Sequence, residues 1–146
     1  MKTRGQVEAE ISEAIIRFER EYMGRGPEET QTFLLDDLVL IRLKGVLTQA
    51  ESKLAASRAD ERGRMLVKQI RIELLEKGRE LLEAIILDIL GQKVRSLHTD
   101  ISTRTGERII IFTLEAPPII CGESPARRQP REHPPSQNLK SRHARL

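Results

Sequence analysis

His98 and Asp100 stand two apart in the run "SLHTDISTRTGERIIIFTLE". A carboxylate beside an imidazole can orient it for proton transfer. On a strand both side chains would point the same way. Their separation along the chain, roughly 6.5–7 Å, exceeds the reach of a direct hydrogen bond. No serine or cysteine in a nucleophile motif accompanies them, so the pair reads as a polar strand face and a candidate ligand or partner contact. No catalytic residue is assigned. Arg25, in "MGRGPEE", is a third candidate contact. Its flanking glycines resemble phosphate-cradling loops, but the lysine-serine/threonine pair is missing and a helix, not a strand, precedes them. A helix-terminating turn with an exposed arginine explains them more simply. Asp36-Asp37 is a turn pair whose side chains satisfy nearby amides. Cys121 stands alone and His133 and His143 fall in the C-terminal segment, with no paired Cys/His spacing. Neither a metal site nor a cofactor is expected.

The elements that position these residues follow from hydrophobic periodicity. Val7, Ile11, Ile15, Phe18 and Tyr22 recur every three or four residues and predict an amphipathic first helix. Next, "TFLLDDLVLIRLKG" holds two β-prone runs around Asp36-Asp37 and predicts a hairpin, with Val39, Ile41 and Leu43 on its apolar face. "TQAE" from Thr48 matches a capping box and opens a short helix to about Ser57. A long helix is expected from about Asp60 to Leu90. Leu66, Ile70, Leu74, Leu81, Ile85 and Ile89 form its apolar stripe, Gly78 occupies the gap, and Gly91 ends it. Met65, Ile72, Leu75, Leu82 and Ile86 widen the arc. So wide an arc suggests burial on two sides, one of them against another helix or a second subunit. The stretch from Ser96 closes a second hairpin around Thr103 to Gly106, with His98 facing Ile111 and Leu97 facing Phe112. Two merged hairpins with helices on one face make an α+β two-layer sandwich: a four-stranded antiparallel sheet under the N-terminal and long helices. His98→Ala should be tolerated, and Ile111→Asp should disrupt the core.

Composition bounds the rest. The 146 residues carry a net charge of +3, with no Trp and one Tyr, so few aromatic platforms exist for stacking bases. The segment from Cys121 to Leu146 has six Lys/Arg against two Glu, which leaves the remainder close to neutral. Six of the seven prolines lie from Pro117 onward, and residues 117–146 are expected to be a disordered basic tail after a domain at 1–116. Through that tail alone, nucleic acid or anionic lipid is a conceivable partner. One cysteine fits a reducing compartment. "LLEAIILDIL" is interrupted by Glu83 and Asp88 and too short for a membrane span, so a cytoplasmic protein is expected.

Three stretches, "TRGQVEAEISEAI", "DDLVLIRLKGVLTQAE" and "SLHTDISTRTGERIIIFTLE", together resemble the MpsC family, a small bacterial domain named for a Na+-translocating membrane-potential-generating system. The resemblance covers about Met1 to Glu115. It implies a non-enzymatic accessory or regulatory subunit that partners a membrane transport complex at the inner face of the membrane, and it transfers no catalytic residue. The alternative is a small cytoplasmic regulator that binds a ligand or nucleic acid. Self-association through the long helix fits either.

Overall fold

The computed structural model describes residues 1–56 and 61–123. Its elements run α1 (Arg4–Met23), β1 (Glu29–Leu35), β2 (Leu38–Lys44), α2 (Gln49–Ala55), α3 (Glu61–Leu90), β3 (Val94–Ile101) and β4 (Arg108–Leu114). The sheet is antiparallel throughout, in the order β1-β2-β4-β3. This is the α+β sandwich that the two hairpin patterns imply.

Helix α1 begins at a capping box: the Thr3 hydroxyl accepts from the Gln6 amide, and the Gln6 side chain accepts from the Thr3 amide. It ends where Gly24 takes a φ of 77°, a left-handed conformation that suits glycine. Val7, Ile11, Ile15 and Phe18 are buried as expected. Met23, not Tyr22, completes the stripe, and Tyr22 stacks outside on Phe18 with ring centroids 4.6 Å apart. Asp36 and Asp37 form a two-residue turn between β1 and β2, with Asp36 at φ 52° in the place usually taken by glycine or asparagine. In the second hairpin His98 opposes Ile111, Leu97 opposes Phe112, and the Ser102 amide donates to the Glu107 carbonyl at 2.8 Å.

The helical layer covers one face of the sheet. Leu34, Val39, Ile41, Leu43, Ile110, Phe112 and Leu114 point into it and are buried. The opposite face carries Phe33, Leu40, Ile109, Ile111, His98 and Asp100, which are half-buried or exposed. Ile111 therefore does not sit in the core as expected. Strand alternation puts its neighbours Ile110 and Phe112 there instead.

The long helix differs more from its expected face. Leu66, Ile70 and Leu81 of the expected stripe are exposed, at 45 %, 47 % and 40 %. The buried line is Gly63, Val67, Arg71, Leu75, Gly78, Leu82, Ile86 and Leu90. Two glycines and an arginine interrupt that line and disguise it in a hydropathy reading. A Cβ at Gly78 would overlap the Phe18 ring, and one at Gly63 would overlap the Leu54 carbonyl oxygen. Both glycines thus set how closely α3 approaches its neighbours, at a cost in helix propensity of about 1 kcal/mol each.

Residues 117–123 were expected to belong to the tail, yet they pack on the domain. Ile120 is buried, the Cys121 amide donates to the Lys2 carbonyl, and Glu123 pairs with Arg4. The rest of the expected tail lies outside the described residues, as does Ser57 at the expected end of α2.

Candidate functional site

Where α1, α2, α3 and β4 meet, four charged side chains are brought together. Glu19 of α1, Arg71 of α3 and Arg108 of β4 are 0 %, 1 % and 2 % exposed, and Glu51 of α2 is partly covered. Arg71 makes a two-pronged pair with Glu51, Nε to Oε2 at 2.8 Å and Nη2 to Oε1 at 2.6 Å. Its Nη2 also donates to the Val46 carbonyl at 2.7 Å, and its Nη1 donates to Glu19 at 3.4 Å. Arg108 reaches the other Glu19 oxygen at 3.4 Å and donates from Nε to the Thr99 hydroxyl at 3.3 Å. Two guanidinium groups thus balance two carboxylates, and the polar side-chain atoms nearly all have partners. A buried charge is tolerable only when it is paired and hydrogen-bonded in this way.

The two carboxylates respond oppositely to their places. Burial pushes Glu19 above the usual carboxylate range, against the pull of Arg108 and Arg71. Burial also raises Glu51, but hydrogen bonds from Arg71 and Thr48 outweigh it and leave Glu51 lowered. Glu51's contribution to stability is therefore present above the ordinary carboxylate pKa and is lost as pH falls through its lowered folded value. For Glu19 the protonation linkage runs the other way: stability falls as pH rises through its raised value, because its charge must then be held in a buried place. Replacing Glu51 with glutamine should lower the urea midpoint at neutral pH. It should also flatten the fall in stability between about pH 5 and pH 3. Equal acid slopes for the two proteins in a pH series of urea titrations would contradict this assignment.

The network braces two of the segments that border an open cleft. Arg71 holds the β2–α2 loop through Val46 and holds α2 through Glu51, and both segments line a cleft of about 870 Å³. Arg25 and Glu28 enter from the α1–β1 loop, Arg64 from the first turns of α3, and Arg104 from the β3–β4 turn. Ser52, Thr103 and Thr105 add hydroxyls. Among the described lining residues, three guanidinium groups stand against one carboxylate, with hydroxyls between them, and this suits an anion. Arg25 pairs with Glu28 at 3.3 Å, and Arg64 also has a partner. Among the described residues no group of three or more His, Cys, Asp or Glu is placed to hold a metal ion.

Of the residues singled out in the sequence, Arg25 lines this cleft. His98 and Asp100 do not; they alternate to the opposite, open face of the sheet, although Asp100, on the edge strand β3, also borders a small pocket with Lys68, Arg71 and Arg108 at the rim of the helical layer. His98 shares a hydrogen bond with Ser96 at 3.2 Å, while Asp100 accepts from its neighbour's Ile101 amide at 2.8 Å and from Lys68 at 3.5 Å. No hydrogen bond joins His98 to Asp100. Sequence reasoning passed over Glu19, Arg71 and Arg108, although each occupies a core phase of its own element. Glu19 falls between Ile15 and Met23, Arg71 between Val67 and Leu75, and Arg108 heads the alternation Ile110, Phe112, Leu114. A charge on an apolar phase was the available signal.

The fold and the network define a two-layer α+β module whose described helices include none long and apolar enough to cross a membrane. The chain belongs to the MpsC family, described as "Na+-translocating membrane potential-generating system (MpsC)", which it matches over residues 3–116. It is 46% identical over 113 residues to the uncharacterized protein YbcI of Bacillus subtilis (strain 168), covering 77% of this chain and 89% of that one. No solved structure matches it.

Proposed function

We propose that this chain is a non-enzymatic accessory or regulatory subunit of a Na+-translocating, membrane-potential-generating system. It acts at the cytoplasmic face and reaches the membrane through a partner. The family match carries this reading, because it spans every helix and strand of the domain. The arrangement of charges is in keeping with it: the buried ion pairs are closed by mutual hydrogen bonds, as a rigid scaffold needs. Self-association belongs to the same proposal.

Mild crosslinking of the tagged protein in its native cells, followed by mass spectrometry of the membrane fraction, tests it. Recovery of integral membrane transport subunits is the expected result. Recovery of the protein alone, or with nucleic-acid-binding proteins, would overturn it.

A second reading, a cytoplasmic regulator that binds a small anion, is favoured by the cleft between Arg25, Arg64 and Arg104. Thermal stabilisation by inorganic phosphate or a small dicarboxylate, abolished in Arg104→Ala, would support it. Salt-sensitive nucleic-acid binding lost on deleting residues 124–146 would instead point to the basic segment.

A further inference from the structure

The exposed stripe of α3 has an apolar centre and a polarised charge pattern. Leu66, Ile70 and Leu81 lie along it with half-buried Leu74 and Ile85, and exposed Leu54 of α2 adds to its surroundings. Charge is divided between the two halves of the helix. Apart from Arg71, which is buried and paired with Glu51 and Glu19, residues 61–75 hold three basic and two acidic side chains, and residues 76–90 hold two basic and four acidic ones. This is the reverse of what a lone helix favours, since its N-terminal end attracts acids and its C-terminal end bases. The last turn of α3 contains no basic residue at all. A partner helix of opposite polarity turns such a distribution into attraction.

We propose that α3 pairs antiparallel with α3 of a second copy of this chain, about a two-fold axis at the level of residues 75 and 76, next to Leu74 in the stripe. In that register Ile70 meets Leu81 of the second copy, and Leu66 meets Ala84 and Ile85. Glu73 faces Lys77, and Arg62 faces Asp88. A two-fold interface makes every such contact twice, so one register satisfies both charge pairs and both apolar layers. Helical geometry puts Glu73 and Lys77 on the same flank of the stripe, as an antiparallel pair requires. Lys77 and Asp88 have no ion pair among the described residues, whereas Glu73 accepts a hydrogen bond from Gln69 at 3.0 Å. The two sheets then lie outermost, with the four long helices between them. The cleft, which opens among the loops at one end of the sheet, is not part of the pairing stripe.

This inference deepens the self-association in the functional reading, and the two fail separately: a monomer could still recover transport subunits in the crosslinking experiment. Sedimentation velocity on the full chain tests it, using Glu73→Lys, Lys77→Glu and the double exchange. Both positions are exposed, and circular dichroism verifies that each of the three variants folds. The wild-type chain should sediment as a dimer. Each single change puts like charges together at two symmetric places and should weaken association by about tenfold. The double exchange restores attraction in this register and should recover the dimer. A wild-type monomer, a dimer indifferent to both single changes, or a double exchange no better than the single ones would each overturn the proposal. A monomer that dimerises only after deletion of residues 124–146 would assign the stripe to that segment and overturn it as well.

Discussion

Replacing Glu19 with alanine is expected to lower the unfolding free energy by about 3–5 kcal/mol, the usual cost of breaking a buried ion pair by removing one partner. Among the described residues, Glu19 is the only carboxylate that bridges Arg71 and Arg108. Without it, Arg71 keeps Glu51, but among the described residues Arg108 retains the Thr99 hydroxyl and the Arg71 carbonyl for a charge that is 2 % exposed. Glu13→Ala, at an exposed position of the same helix, is the control and should stay within about 0.5 kcal/mol of wild type. Urea titration measures both. A loss below about 1 kcal/mol for Glu19→Ala would mean that Arg108 finds water once its partner is gone.

The second large effect separates the two faces of β4. Phe112→Ala should cost about 3–5 kcal/mol, because it empties a fully buried position between the sheet and the helices. Ile111→Asp, one residue earlier, should cost only about 1–2 kcal/mol, within the ordinary range for a partly exposed site. There the new carboxylate stands beside Leu40 and His98 on the open face. Thermal melts of the two variants distinguish the faces directly. If Ile111→Asp were the more damaging, a partner would have to cover the open face in solution.

The hairpins were legible because strand alternation is a local signal. Val39, Ile41 and Leu43 name their own face, and the turns at Asp36-Asp37 and around Gly106 carry recognisable residue types. The capping box at Thr48 was legible for the same reason, and its partner bonds are present at 3.2 and 3.0 Å. The face of α3 was not legible. Hydropathy ranks Leu66, Ile70 and Leu81 above Gly63, Arg71 and Gly78, but tertiary contacts bury the second set. The glycines are inside because Phe18 and Leu54 come so close, and Arg71 is inside because Glu51 and Glu19 wait for it. Those reasons lie on other elements, beyond the reach of any window along the helix. The cleft was legible only in Arg25, since its other walls come from α2, α3 and the β3–β4 turn.

The strand order has a kinetic consequence. Each hairpin joins neighbours in sequence and closes a short loop, whereas β2 meets β4 only after the chain has passed through α2 and α3. Closing that long loop is the entropically expensive step in assembling the sheet. The Glu19–Arg108 contact joins α1 to β4, so it depends on this late closure. Interactions that form after the rate-limiting barrier slow unfolding more than they speed folding. The buried Glu19–Arg108 contact is thus expected to act as a latch on the finished molecule, its loss speeding unfolding more than it slows folding.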